Sequence, residues 1–349
     1  MLCPVFIFSA SNKFTDIMTK PQSLLSAAVN TVKDAVRISL DLFKIMIPVV
    51  IAVKILQELN LISYLAAPLA PVMKLVGLPG EMGLVWATAL INNIYSGLIV
   101  FLSLVQDQPL NAAQATVLGT MILVAHSMPV ELRVVQSSGP KLIFQLLIRL
   151  GGAFLIGLIL HLAYDNFDFL QNPANIILTP DNAATDKTII EWALGEIKNL
   201  ISIFGIILSL LTIMKILAKI RVLDAMDFLL RPLLTLMGIG SKASALTVVG
   251  LTMGLSYGGG MIIHETKSGR IDKRDVFYSL TLMSLCHSLV EDTLLLMMIG
   301  GHISGLLWGR LIFSIIIVAI LVQLTKIIPE SFSDKYLWGL PKNLNTEKG

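Results

Sequence analysis

Ala125-His126-Ser127-Met128-Pro129-Val130-Glu131 and Cys286-His287-Ser288-Leu289-Val290-Glu291-Asp292 stand 161 positions apart, each at the end of a long apolar run. The same shift lays Lys54-Ile55-Leu56 on Lys215-Ile216-Leu217, Pro71 on Pro232, Gly77 on Gly238, Leu90 on Leu251 and Gly97 on Gly258. It also lays Thr120 on Thr281, Gly139 on Gly300 and Arg149-Leu150 on Arg310-Leu311. Leucine matches come cheaply in an apolar chain. Matches of Lys, Pro, Gly, His-Ser and Arg at one fixed offset do not, so the chain carries one unit twice.

The composition says where the units reside. The 349 residues are 55% hydrophobic and only 14% charged, against roughly 25% charged in soluble domains. Apolar residues fall into five blocks per unit: 38–57, 59–76, 83–104, 112–129 and 142–164, then 200–218, 222–238, 244–265, 276–297 and 303–327. Most approach the roughly 20 residues that a helix needs to cross a bilayer. Backbone polar groups in hydrocarbon must be paired internally, which leaves helices or closed barrels. The runs are continuous rather than alternating, so the expected fold is all-α, a polytopic integral membrane protein of two five-segment inverted repeats with broken or re-entrant helices. The second block of each unit is short and interrupted by proline (Pro68 and Pro71; Pro232), which leaves open whether it crosses.

An odd number of crossings would invert the second copy, and charge offers an independent test. Short loops rich in Lys and Arg stay in the cytoplasm. The loop 266–275 carries Lys267, Arg270, Lys273 and Arg274, whereas its counterpart 105–111 carries only Asp107. Equivalent loops of opposite bias belong on opposite sides. Alternation then gives a cytoplasmic segment 1–37, a first repeat 38–164, an external link 165–199, a second repeat 200–328 and a cytoplasmic tail 329–349. Lys242 is an exception, placed near the outer face. No basic stretch precedes the apolar Val5–Phe8, so a cleaved signal peptide is not expected, and an interfacial helix is expected over 23–37. The location implied is a bacterial inner (plasma) membrane, with both termini cytoplasmic.

Inverted repeats of this kind place substrate sites near the midplane, where interrupted helices of the two halves meet. The third block breaks in both copies, at Asn92-Asn93-Ile94-Tyr95-Ser96-Gly97 and at Ser256-Tyr257-Gly258-Gly259-Gly260. Consecutive glycines disfavour regular helix, and unwound backbone offers N–H and C=O groups to a ligand. Close helix packing through small residues, with one interhelical Asn bond, accounts for the same pattern. The sequence does not say whether the break is a re-entrant hairpin or an interrupted span. Asn92, Asn93, Tyr95, Ser96, Ser256, Tyr257, Gly258 and Gly259 are the binding candidates there.

The His-Ser segments supply His126, Ser127, His287, Ser288 and Glu291. Ionisable groups inside membrane segments are costly and mark pathways, proton relays or ion sites. His287 and Glu291 would share one face of a continuous helix, as i and i+4. His titrates near neutrality, so a His–carboxylate pair suits coupling to H+; Na+ is the other coupling ion considered. Against this stands a plain helix end at the interface, which suits Glu131 beside Arg133. Arg149, Arg310 and Arg231 are expected to be paired structurally, while Lys54 and Lys215 reach for the interface. His264-Glu265 reads as interfacial, and His161 and His302 lie near helix ends. Two cysteines, Cys3 and Cys286, make no framework. No phosphate loop, nucleophile–base pair or metal motif of strict spacing stands out, so neither an enzyme nor a resident cofactor is expected. The net charge of +3 gives no reason to invoke nucleic acid.

These motifs, with Leu78-Pro79-Gly80-Glu81, resemble the nucleoside recognition (Gate) domain family. That family includes the spore maturation proteins A and B, the membrane core of ferrous iron transporter B, and part of the concentrative nucleoside transporters. The resemblance covers about residues 40–165 and 200–325 and implies a permease. It departs from internal symmetry at Val290, opposite Pro129, and no GTPase domain is present. The leading expectation is a secondary transporter for a small polar, nucleoside-like solute, with the bilayer and the solute as partners and self-association open. The alternatives are a metal or inorganic ion path and a non-transporting membrane scaffold or assembly factor.

Overall fold

A computed structural model of the chain describes residues 24–59, 61–177, 189–220, 222–254 and 271–339. It is helical throughout, with only isolated β-bridges among the described residues. The first copy comprises α1 (Leu24–Glu58), the short α2 (Ile62–Ala66) and α3 (Ala70–Leu75), then α4 (Met82–Ile91), α5 (Ile94–Leu104), α6 (Ala112–Val124), α7 (Met128–Gln136) and α8 (Leu142–Asn166). The second comprises α9 (Ile189–Lys219), α10 (Val222–Leu236), α11 (Ser241–Met253), α12 (Lys273–Leu285), α13 (Glu291–Met297) and α14 (Ser304–Ile327), whose first turn is π-helical. A last helix, α15 (Glu330–Tyr336), follows.

The duplication read from the sequence reappears in the backbone. α6 and α12 begin and end at equivalent positions, as do the C-termini of α1 and α9. Left-handed residues recur in register: Gly77 with Gly238, Ser127 with Ser288, and Gly139 with Gly300. Two segment ends differ from expectation. The interfacial helix expected over 23–37 is the start of α1, one 35-residue helix that runs through the first block with Pro48 inside it. Likewise α9 begins at Ile189, inside the stretch read as external link. Both helices are amphipathic before they become apolar, so composition alone showed a boundary where the backbone has none.

Gly97 decides the form of the third block. A Cβ there would lie 2.8 Å from the Ala89 Cβ and 3.2 Å from the Val85 carbonyl oxygen. Residues eight apart on a continuous helix would be separated by about 12 Å along the axis. The chain therefore folds back at Asn92-Asn93, and α4 and α5 form a re-entrant hairpin. Its arms of 10 and 11 residues are about 15 Å long, half the hydrocarbon thickness of about 30 Å. The second block does not cross either: α10, with 15 residues, is about 22 Å long. By the duplication, α1 is the counterpart of α9, and α12–α13 that of the broken α6–α7. Ala112–Gln136, Leu142–Asn166, Ala193–Leu217 and Ser304–Ile327 are long and apolar enough to span. With those counterparts included, each copy holds three spanning units among the described residues, an odd number.

The copies are inverted. α8 and α14, equivalent helices, run antiparallel where they meet. Tyr164 near the end of α8 shares a 2.8 Å hydrogen bond with Ser304 at the start of α14, and Gly152 abuts Phe313. α1 and α9 also pack together: Lys215 near the end of α9 donates to Thr31 and Asp34 near the start of α1 at 2.9 and 3.1 Å, and Ile203 and Ile207 share a buried cluster with Ala35 and Val50. Gly152 and Phe313 are equivalents, so their contact marks the pseudo-two-fold axis, close to the middle of both spans. Ile143, Leu147, Leu155 and Ile159 of α8 and Ile312, Ile316 and Ile320 of α14 face outward, whereas Gln145, Arg149, Arg310 and Ser314 are buried inside. Lipid replaces water outside, so the polar groups are the ones turned inward. At one end, Trp338 packs on Phe277 with ring centroids 5.2 Å apart. Lys273 there binds Asp334 at 2.8 Å and Glu330 at 3.0 Å, which holds the Asp334 carboxyl below its usual value.

Candidate functional site

Each broken span is interrupted at its His-Ser pair. α6 ends at Val124 and α7 begins at Met128; between them Ser127 adopts φ 48°, and Ser288 adopts φ 46° in the second copy. A left-handed non-glycine residue costs on the order of 1–3 kcal/mol, and it occurs here twice at equivalent positions. Neighbouring helices α4 and α11 support the breaks: Ser127 N–H donates to Ala89 O at 3.0 Å, and Leu289 N–H to Leu251 O at 2.9 Å. A Cβ on Gly254 (φ +96°) would meet the Ser288 hydroxyl at 3.0 Å. The first hairpin tip is closed by its own side chains. Asn93 caps α5, accepting from Ser96 N–H at 2.9 Å and from the Ser96 hydroxyl at 3.1 Å, and Asn92 donates to that hydroxyl at 2.8 Å.

The breaks turn His126 and His287 toward one another across the axis. Their Nε2 atoms are 3.3 Å apart and both rings are buried. Each Nδ1 lies on the carbonyl of the residue four earlier, Ile122 O at 2.9 Å and Met283 O at 2.8 Å. Glu131 completes a triangle: its Oε1 is 3.2 Å from His126 Nε2 and 3.4 Å from His287 Nε2. Its Oε2 accepts from Arg149 Nη1. Arg149, wholly buried, also donates from Nε to Val124 O and from Nη2 to His126 O, both at 3.0 Å. One guanidinium therefore covers carbonyls freed by the break and fixes the carboxylate.

The second copy does not repeat this arrangement. Arg310 is equally buried, yet among the described residues it makes one 3.4 Å bond, from Nη2 to the Thr293 hydroxyl. Its Nε and Nη1 find no hydrogen-bond partner there. Asp292, at the position of Glu131, lies within electrostatic reach of His126, His287 and Arg310.

The structure thus brings His126 and His287 together with Glu131, and it joins Asn92, Asn93 and Ser96 in a separate cluster at the tip of the hairpin whose Ala89 supports Ser127; Tyr95 lies in the first turn of α5 and Glu291 at the start of α13. Two expectations are corrected. Glu131 is not a water-facing end beside Arg133; it is buried and bound to Arg149, because Pro129 and the left-handed Ser127 redirect α7. His287 and Glu291 do not share a helical face, since α13 starts only at Glu291. Ser256, Tyr257, Gly258, Gly259, Gly260, His264 and Glu265 lie outside the described residues. Sequence reasoning passed over Glu131 and Arg149 as partners; the available signal was that both sit in matched apolar segments, one carboxylate and one buried cation.

No family model matches the chain, and no solved structure matches it. It is similar to an uncharacterized membrane protein, YvoD, of Bacillus subtilis (strain 168), with 26% identity over 277 residues, 78% of this chain and 87% of the relative. Fold and relative agree on the coarse conclusion that this is a polytopic helical membrane protein.

Proposed function

We propose that the protein is a permease, a secondary transporter for a small polar solute, whose site is the seam between the two inverted repeats. The observation that carries the proposal is the meeting of His126 and His287, equivalent residues at broken spans, on the pseudo-two-fold axis at mid-depth. Buried polar groups at such a place are expensive in hydrocarbon and serve ion or solute paths elsewhere. The hairpin tip at Asn92–Ser96 adds amide and hydroxyl groups of the kind that recognise a nucleoside-like solute. The resemblance to Gate-domain permeases favours the same reading. In it the protein carries out no covalent chemistry, takes H+ or Na+ as coupling ion, and lies in a bacterial plasma membrane with both termini cytoplasmic.

The test is a thermal-shift screen of purified protein in detergent against nucleosides, nucleobases, divalent metals, sodium and small organic anions at two pH values. A ligand of the folded state stabilises it by RT ln(1 + [L]/Kd), about 2.7 kcal/mol at a hundredfold excess over Kd. A dose-dependent shift from one class, lost in Asn93→Ala and accompanied by uptake into proteoliposomes, is the expected result. A well-folded sample that responds to nothing and transports nothing would refute the permease reading and favour a membrane scaffold.

A further inference from the structure

Three potential ligand atoms converge in the His126–His287–Glu131 triangle, all buried and within 4.8 Å of one another. Each imidazole spends its Nδ1–H on a carbonyl, 2.9 Å from Ile122 O and 2.8 Å from Met283 O. A carbonyl only accepts, so Nδ1 is protonated, and in the neutral imidazole Nε2 then carries the lone pair. Glu131 Oε1 is also an acceptor, and Arg149 is engaged on the other oxygen, Oε2. Acceptors held 3.2, 3.3 and 3.4 Å apart in a buried site repel unless a metal ion or a proton lies among them, and one ion can satisfy all three at once.

The edge lengths fit a tetrahedral ion. Tetrahedral bonds of about 2.0–2.1 Å to His nitrogen and carboxylate oxygen place ligand atoms about 3.3 Å apart. Octahedral Mg2+ at about 2.0–2.1 Å would need edges of about 2.9 Å, and Ca2+ and Mg2+ both prefer oxygen throughout. Imidazole suits Zn2+ and its neighbours in the first transition row. The surroundings agree. The carbonyls on both Nδ1 atoms and the guanidinium on Glu131 are the outer partners that orient metal ligands. Among the described residues around the triangle, the carboxylates Glu131, Glu291 and Asp292 exceed the guanidiniums Arg149 and Arg310 by one.

We propose that His126 Nε2, His287 Nε2 and Glu131 Oε1 bind one divalent first-row transition cation, Zn2+ or a tetrahedral analogue, at the seam of the two repeats. Three protein ligands leave one tetrahedral position for water or a polar solute. Two of the ligands come from the first copy and one from the second, so the ion ties the inverted halves together at their axis. This goes beyond the permease reading and does not need it, because it concerns equilibrium binding.

The test uses full-length protein without a histidine tag, purified in detergent, stripped with chelator and titrated with Co2+. One equivalent per chain should give the intense visible bands of tetrahedral Co2+, and Zn2+ should abolish them. His126→Ala and His287→Ala should each lose the bands, while His302→Ala, outside the triangle, should keep them. Gel filtration and circular dichroism establish that the variants are folded. If either is not, protection of His126 and His287 in the wild-type protein from diethyl pyrocarbonate by Zn2+, read by mass spectrometry, replaces it. No stoichiometric bands in the wild type, bands unchanged in both folded variants, or equal modification with and without Zn2+ would each overturn the proposal; a shared proton then fills the triangle. Bands without any solute uptake would sink the permease reading and leave this one standing; uptake without bands would do the reverse.

Discussion

Replacing Arg149 with methionine isolates what holds the broken span in shape. The guanidinium is wholly buried and makes three bonds: to Glu131, to Val124 O and to His126 O. Methionine fills much of the volume and leaves all three acceptors bare. Removing one partner of a buried ion pair costs about 3–5 kcal/mol, and each orphaned buried carbonyl adds about 1–3 kcal/mol where water cannot reach it. Relaxation at the break will recover part of that, so Arg149→Met should lose at least about 3 kcal/mol. Neutralising the stranded acid in Arg149→Met/Glu131→Gln should restore part of the loss, and the cycle should show a coupling of about 1–3 kcal/mol. The assay is reversible denaturant unfolding in mixed micelles, followed by tryptophan fluorescence. A single variant within about 0.5 kcal/mol of wild type, the range of ordinary surface changes, or a double variant no better than the single, would refute the account. Arg310→Met offers an internal control: with one long bond to Thr293 among the described residues, it should cost clearly less than its symmetry mate.

Further expectations follow from the same geometry. Gly97→Val should pry the re-entrant hairpin apart, since even a Cβ would sit 2.8 Å from Ala89; overpacking of this kind costs about 1–3 kcal/mol, seen as a lower midpoint in the same assay. Cysteines at Gly152 and Phe313, in a chain with Cys3 and Cys286 replaced by alanine, should be bridged within one chain by a short bifunctional thiol reagent, because a Cβ at Gly152 would lie 3.6 Å from the Phe313 ring; failure to bridge, with the protein folded, would count against the inverted packing. For the proposed orientation, Asp168→Cys should react with a membrane-impermeant maleimide in intact cells and Ser331→Cys only after lysis; the reverse pattern would turn the topology over. The hold on α15 should depend on pH. Lys273 keeps the Asp334 carboxyl below its usual value, so that contribution is full above the ordinary carboxylate range and fades as pH falls through the lowered value. Limited proteolysis of the tail should therefore quicken in acid, and high salt should reduce the difference.

The sequence by itself determined the class of this protein and the duplication, and the charge of equivalent loops pointed to opposite orientations. Charge scarcity and long apolar runs are global properties that do not depend on which helix touches which. The 161-residue offset is written in Lys, Pro, Gly, His-Ser and Arg, residues that an apolar composition does not repeat by chance. The proline-poor, apolar third block could equally have been an interrupted span, and only the approach of Gly97 to Ala89 made it a hairpin. The site was legible in its separate parts, as two His-Ser breaks and an Asn-Asn break, but not as a constellation. His126 and His287 meet because the second copy is inverted, and a linear pattern does not state the angle or depth at which two copies join. Glu131 looked like a helix end in water because its nearest charge in sequence is Arg133. Its partner in space is Arg149, brought over by the antiparallel packing of α7 on α8 and by the left-handed turn at Ser127. Burial and pairing are properties of the closed fold, and there a carboxylate that the chain seems to leave in solvent becomes the third corner of the site.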